Sequence, residues 1–155
     1  MGWPFKEGDE LHPAANIAKM SRGEPLTDAD RAPWLVCVCA WIDVWRRAGV
    51  SGVITCSALK RAYRDQIVDG RPEVRFVFLD ADPAVLAERV ANRRGHYMPP
   101  SLLPSQLADL QPPGADEGVI KVDAGQPVET QVDMIVRTLA RSGPDAAAAP
   151  PGATP

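Results

Sequence analysis

The stretch from Val74 to Pro83, Val-Arg-Phe-Val-Phe-Leu-Asp-Ala-Asp-Pro, joins a β-strand to the start of a helix. Its valine, phenylalanine and leucine residues favour a strand that ends at Leu79. Asp82 is a good helix N-cap and Pro83 fits a first helical turn, so a helix is predicted from there to about Arg94. A strand followed directly by a helix is the building unit of α/β proteins.

The same alternation continues on both sides of this stretch. Further strands are predicted at 3–6, 50–56 and 119–122, and further helices at 14–20, 27–48, 58–68, 102–110 and 127–140. We therefore expect an α/β fold with a parallel sheet flanked by helices, which binds ligands at the carboxyl ends of its strands. In helix 27–48, the apolar residues recur at helical spacing and are predicted to be core: Trp34, Leu35, Val38, Trp41, Ile42 and Trp45.

Composition narrows the class of protein. The chain has 155 residues, which fits one domain, and its net charge of -3 argues against a nucleic-acid binder. We see neither a signal peptide nor the run of about 20 apolar residues that a membrane span needs. The three cysteines, Cys37, Cys39 and Cys56, are interpreted as buried thiols of a cytoplasmic protein.

Two carboxylates follow the first predicted strand. Glu7 and Asp9 flank Gly8 in a turn and can face one pocket. Such groups can organise Mg²⁺ and orient or deprotonate an attacking hydroxyl in a phosphoryl transferase. The alternative is a solvated acidic turn.

Basic residues follow the strand 50–56. Lys60 and Arg64 are four residues apart at the start of a predicted helix, where free backbone N–H groups and the helix dipole favour an anion. Arg22 and Arg31, placed on a loop, offer two more groups for a carboxylate. The alternative is a basic surface patch.

A third basic group lies on the helix that begins at Pro83. Arg89 and Arg93 share one helical face, and Arg94 follows directly. The three can close over a polyphosphate as a lid. The alternative is a solvated basic face.

Together and in order, these segments resemble the gluconate kinase family. The resemblance covers about residues 3–140. It rests on Glu7-Gly-Asp-Glu-Leu-His-Pro13, Asn16, Lys19-Met20, Gly23, Pro25-Leu26, Asp28, Asp30-Arg31, Pro33-Trp34-Leu35, Cys56-Ser-Ala-Leu-Lys60, Tyr63-Arg64-Asp65, Arg94-Gly-His-Tyr-Met98, Leu102-Leu103 and Ser105-Gln106.

The resemblance implies a fold like that of shikimate and adenylate kinases, a P-loop core with a mobile lid. It implies transfer of the γ-phosphate of ATP to the terminal hydroxyl of D-gluconate, which gives 6-phosphogluconate. The domain would span 1–142 with its lid at about 89–110. The Ala/Pro-rich tail 143–155 is expected to be disordered. The family also allows a homodimer.

The resemblance further implies roles for single residues. Asp9 would orient or deprotonate the substrate hydroxyl, and Glu7 would lie near Mg²⁺. The gluconate site would be lined by His12, Arg31, Lys60, Arg64 and His96. The phosphates of ATP would contact Arg89, Arg93 and Arg94, and adenine would lie near Gln126 and Pro127.

One departure from the family pattern concerns the phosphate-binding loop. No Gly-x-x-x-x-Gly-Lys-Ser/Thr occurs in the chain, and in the family this loop follows a strand that lies before the Glu-Gly-Asp segment. We therefore expect a domain that lacks the first strand, the loop and the first helix, through a late start codon or a truncated gene. The strands 50–56 and 74–79 would then each keep an unpaired edge. Alternatives are a non-catalytic sugar-acid-binding remnant and a non-functional fragment. A shikimate kinase fits the motifs at His12-Pro13 and 57–60 less well.

Overall fold

The structure is a computed structural model that describes residues 2–93 and 98–141. Its strands and helices alternate along the chain as predicted, with shorter strands. In chain order they are β1 (Phe5–Lys6), α1 (Ala14–Ser21), α2 (Asp28–Arg47), β2 (Val53–Ile54), α3 (Arg61–Val68), β3 (Val77–Asp80), α4 (Pro83–Asn92), α5 (Leu103–Asp109), β4 (Ile120–Asp123) and α6 (Val128–Arg141). Short 3-10 helices are formed by Gly8–Leu11, Pro100–Leu102 and Ala115–Glu117. The predicted tail 143–155 and the candidate residues Arg94 and His96 lie outside the described residues.

The chain divides into two compact units. Unit 1 comprises Met1–Val74 and Ala87–Pro112, and unit 2 comprises Arg75–Leu86 and Pro113–Pro155. The prediction of a single domain over 1–142 stays a prediction.

The core of unit 1 is built on α2. Trp34 and Val38 are completely buried, and Leu35 and Ile42 are buried beside them, as the spacing predicts. Trp41 departs from the prediction, because it is 38% exposed. Its ring contacts Trp45 at a centroid distance of 6.0 Å and has the Lys6 ammonium 5.5 Å away, so this end of the stripe lies at the surface.

The start of α2 is fixed by a capping box. The Thr27 hydroxyl accepts a hydrogen bond from the Asp30 backbone, and the Asp30 carboxylate accepts one from the Thr27 backbone. Lys19 of α1 pairs with the same carboxylate at 2.6 Å. Helix α1 is thereby fastened to the first turn of α2.

Unit 2 is built on a parallel pair of strands. Residues 77–80 of β3 pair in register with 120–123 of β4. The Asp82 side chain accepts a hydrogen bond from the Ala84 amide at 2.8 Å, so it caps α4 as predicted. Val122 is buried at 1% exposure and Ala124 at 5%, while the β3 residues Val77 and Leu79 are exposed.

Strand pairing in the described residues gives two separate two-stranded parallel sheets, β1–β2 and β3–β4. The expectation that a first strand is missing beside β2 and β3 stays a prediction. Val53 of β2 is 47% exposed and Leu79 of β3 is 56% exposed, so each sheet also leaves apolar side chains uncovered.

The cysteines correct one expectation. All three are free thiols, but only Cys39 is buried, while Cys56 is partly buried and Cys37 is exposed. Cys37 lies on the outward face of α2, two residues from Cys39. In the part of the chain that the structure describes, no helix combines the length and apolar character that crossing a membrane requires.

Candidate active site in unit 1

The Glu-Gly-Asp turn is held from two sides through Gly8. Its amide donates to the Thr55 hydroxyl at 2.9 Å, and its carbonyl accepts from the Trp34 indole nitrogen at 2.8 Å. A Cβ at this position would lie 1.9 Å from the Thr55 carbonyl oxygen, so only glycine fits without a backbone shift. The turn that carries Asp9 is therefore fixed to the end of β2 and to the centre of α2.

Glu7 is held by the same Thr55 side chain. The Thr55 hydroxyl accepts from Gly8 and donates to the Glu7 carboxylate in a short hydrogen bond. Among the described residues, no group of three or more acidic, histidine or cysteine side chains is placed to hold a metal ion. A Mg²⁺ ion at Glu7 would thus take most of its ligands from phosphates and water, which is how Mg²⁺ usually binds beside a nucleotide.

His12 is buried against Trp34. The two rings stack with centroids 4.4 Å apart and planes within 13°. Burial lowers the pKa of His12 below its ordinary value, the charge of Asp9 opposes this, and the charge of Arg31 adds to it. His12 is therefore a neutral imidazole near neutral pH, and the acidic turn and Arg31 are both close enough to act on it.

Asn16 fixes the orientation of the His12 ring. Its side-chain amide donates to the Asp30 carbonyl at 2.7 Å and lies 3.4 Å from Nδ1 of His12. Because a carbonyl oxygen only accepts, the Asn16 nitrogen must face both groups, and Nδ1 of His12 must accept. The remaining ring nitrogen, Nε2, then carries the proton.

Arg31 lies within the first turns of α2, inside the predicted helix 27–48 and not on the loop before it. The side chain is 7% exposed and donates to Asp109 of α5 at 2.8 Å and to the Tyr63 hydroxyl at 3.4 Å. The Arg31 guanidinium also lies 5.9 Å from the Tyr63 ring centroid. The candidate carboxylate binder is thus buried and already paired.

Lys60 is paired in the same cluster. Its ammonium contacts Asp28 at 2.6 Å and lies 3.9 Å from Asp109. The Tyr63 hydroxyl also donates to Asp28, and hydrogen bonds from Lys60 and Tyr63 hold the pKa of Asp28 below its usual value. The pKa of Lys60 is raised, first by its hydrogen bond to Asp28. Lys60 and Asp28 are therefore both charged across the physiological pH range.

Arg64 is buried at 4% exposure, but its described contacts are with the backbone. It donates to the carbonyls of Ala58 and Leu59 at 3.1 and 3.3 Å, which steadies the segment before α3. At the helix start, the Arg61 amide donates to the Gln111 side chain at 2.8 Å. One of the N–H groups expected to bind an anion is therefore already occupied.

The candidate nucleotide contacts lie elsewhere on the chain. Arg89 lies in the last turn of α4 and Arg93 directly follows the helix, and both are exposed. In unit 2, Gln126 donates to the Asp123 carboxylate at 3.0 Å and so closes the turn before Pro127 and α6. The ATP contacts assigned to these four residues stay predictions.

The structure thus brings two sets of predicted residues into contact networks. Glu7, Asp9 and His12 are organised by Thr55 and Trp34, and Arg31 and Lys60 are joined by Asp28, Tyr63 and Asp109. No role in the site was predicted from the sequence for Asp28, Tyr63 or Asp109. Tyr63 could have been found from its position three residues after Lys60, but no local signal marks Asp109.

Cys56 is close to the acidic turn but carries no reactive thiolate. Burial, with added repulsion from the charge of Asp9, raises the pKa of its thiol to about 12. A thiol that stays protonated at neutral pH is a poor nucleophile. The chemistry of this site therefore belongs to oxygen and nitrogen groups.

Comparison with known proteins identifies close relatives, although no family model matches the chain. The chain is 50% identical over 141 residues to a gluconokinase of Gluconobacter oxydans. This alignment covers 91% of the chain and 77% of the relative. A solved sugar kinase from Janibacter sp. HTCC2649 matches with a TM-score of 0.82 and 46% identity, over 94% of this chain and 83% of the other. A solved gluconokinase from Sinorhizobium meliloti 1021 matches with a TM-score of 0.77 and 44% identity, over 94% and 82%.

Proposed function

The chain belongs to the gluconokinase family, and from that premise we propose that unit 1 forms the sugar-acid half of a gluconokinase active site. Gluconokinases are ATP-dependent carbohydrate kinases that phosphorylate D-gluconate. The observation that carries the proposal is the fixed turn at Gly8, because it holds Asp9 beside the neutral, buried His12. A carboxylate and an imidazole N–H at one place suit the binding and activation of a sugar hydroxyl.

In this proposal Asp9 orients or deprotonates the hydroxyl that attacks the phosphate. Nε2 of His12 donates a hydrogen bond to the substrate, a role that the contact of Nδ1 with Asn16 supports. Arg31 and Lys60 bind the carboxylate of the sugar acid, because guanidinium and ammonium groups make strong charge-assisted hydrogen bonds to carboxylates. Arg64 supports the segment 57–60, and His96 completes the site.

The nucleotide half is proposed from the family alone. ATP is the phosphate donor, with Arg89, Arg93 and Arg94 at its phosphates and Gln126 and Pro127 near adenine. Mg²⁺ beside Glu7 supplies charge neutralisation for the phosphates when it is bound. Because the 155 residues contain no Gly-x-x-x-x-Gly-Lys-Ser/Thr, the second candidate function is a sugar-acid-binding protein without ATP chemistry. We further propose a cytoplasmic location and a homodimer.

The proposal is tested by calorimetry with D-gluconate, with and without MgATP. Lys60→Met should weaken gluconate binding about tenfold, because a charge-assisted hydrogen bond is lost. Lys121→Met is the matched control, since Lys121 pairs with Asp80 on the surface of unit 2 and is 68% exposed. This control should bind as tightly as the unaltered chain.

Three results separate the candidates. Gluconate binding that Lys60→Met weakens, and that MgATP alters, supports the kinase site. Gluconate binding that stays unchanged even at saturating MgATP favours the non-catalytic alternative. A folded chain, shown by a cooperative thermal melt, that does not bind gluconate would refute the proposed function.

A further inference from the structure

The Arg31 cluster, formed by Arg31, Lys60, Asp28 and Asp109, contains two positive and two negative side chains. Arg31 pairs with Asp109, and Lys60 pairs with Asp28. The two cations assigned to the substrate carboxylate are thus both paired with carboxylates of the chain itself. A sugar acid that enters therefore meets cations that already have carboxylate partners.

The two pairs differ in burial. The Arg31 side chain is 7% exposed and its partner Asp109 is 35% exposed. A buried guanidinium left without a counter-charge is costly, so Arg31 needs a carboxylate at all times. Asp109 can turn towards solvent at much lower cost, which makes it the exchangeable member.

We propose that Asp109 binds Arg31 in place of the substrate carboxylate and competes with it for this position. This inference rests on the proposed function, because it assumes that the ligand is a sugar acid. Exchange of one carboxylate for another keeps Arg31 paired throughout. Asp109 therefore sets how much affinity the site gains from the acid group of its ligand.

The backbone around Asp109 allows the exchange to occur by side-chain rotation alone. Asp109 is the last residue of α5, and Gln111 just beyond it is anchored at both backbone and side chain. Its amide donates to the Leu59 carbonyl at 2.8 Å, and its side chain accepts from the Arg61 amide at 2.8 Å. The helix end thus stays in place when the carboxylate leaves.

Asp28 is a weaker candidate for the same role. It binds both Lys60 and the Tyr63 hydroxyl, so its removal would break two contacts at once. Its partner Lys60 is more exposed than Arg31, at 26%, and can be paired by water. Competition at Arg31 is the step that the geometry favours.

The test is Asp109→Asn, with binding of D-gluconate and of the uncharged polyol D-glucitol measured by calorimetry. The variant should bind D-gluconate about tenfold more tightly, because Arg31 then offers an unshared charge. D-glucitol has no carboxylate, so its affinity should not change. Asp65→Asn is the control, since it removes the same charge from an exposed pair with Arg61, and it should alter neither affinity.

Weaker gluconate binding by Asp109→Asn, or an equal change for both ligands, would overturn the inference and make Asp109 a positioning residue for Arg31. If the variant does not fold, carboxyl ¹³C NMR of the unaltered chain gives the answer. D-gluconate should shift the Asp109 signal towards that of a solvated aspartate and D-glucitol should not, and an unmoved signal refutes exchange. A folded chain that fails to bind D-gluconate refutes the proposed function itself, whereas binding that Asp109→Asn fails to tighten refutes only this inference.

Discussion

Replacing Trp34 by phenylalanine tests whether the acidic turn depends on one indole hydrogen bond. Trp34 is completely buried, and its nitrogen donates to the carbonyl of the buried Gly8 at 2.8 Å. Phenylalanine keeps much of the ring packing but leaves that carbonyl without its donor, which costs about 1–3 kcal/mol. The smaller ring also leaves a void beside His12, which adds roughly 1–2 kcal/mol. We expect a total loss of about 2–5 kcal/mol, a large part of the roughly 5–15 kcal/mol that stabilises a typical domain.

The assay is urea unfolding followed by far-ultraviolet circular dichroism, which does not depend on tryptophan fluorescence. Trp41→Phe is the matched control, because it makes the same substitution on the same helix at a side chain that is 38% exposed. The control should lose less than about 1 kcal/mol, as surface substitutions usually do. Equal losses in the two variants would show that the Trp34–Gly8 contact contributes nothing specific.

The same variant has a functional consequence. Because Gly8 precedes Asp9 and His12 stacks on Trp34, a shift of the turn moves both proposed substrate contacts. Trp34→Phe should therefore weaken gluconate binding at temperatures where it remains folded, and Trp41→Phe should not. Unchanged gluconate affinity in a destabilised Trp34→Phe would separate the fold of the turn from the ligand site.

Two further predictions concern the pH dependence of stability and the binding and turnover of ATP. Burial lowers the pKa of His12 in the folded state, so its contribution to stability is present above its ordinary pKa of about 6.5 and is lost as pH falls through the folded value. His12→Gln should flatten the dependence of the unfolding free energy on pH between pH 7 and 5. Asp30 and Asp43, with pKa values of about 2, affect stability only at more acidic pH. An unchanged pH dependence in this variant would contradict the burial argument. The chain should bind ATP weakly and show little kinase activity, because no phosphate-binding loop occurs in its sequence. Calorimetry and a coupled ADP-release assay test this, and robust turnover would refute it.

Local signals in the sequence were enough to predict most of the elements. The helix α2 begins where Thr27 can cap it, and it continues through an uninterrupted apolar stripe. The strand β3 is set by a β-branched and aromatic run, and the helix after it by Asp82. Such signals act within a few residues, which is why a single sequence reveals them.

Contacts between distant residues could not be predicted in the same way. The pair Arg31–Asp109 joins residues 78 positions apart, and the hydrogen bond of Thr55 to Glu7 joins residues 48 apart. Neither pairing follows from a periodicity or a cap. The exposure of Trp41 is also non-local, because helical spacing predicts a face but not where the neighbouring elements stop covering it.

Helix α2 contributes to both parts of the candidate site in unit 1, the acidic turn and the proposed carboxylate position. Trp34 holds the acidic turn and His12, while Arg31, three residues earlier on the same helix, holds the proposed carboxylate position. Residues three apart on a helix are neighbours, so in the proposed site helix geometry sets the distance between the acidic turn and the carboxylate position. The proposed site therefore predicts that this spacing limits the length of the sugar acid, and the capping box at Thr27 and Asp30 fixes where the helix begins.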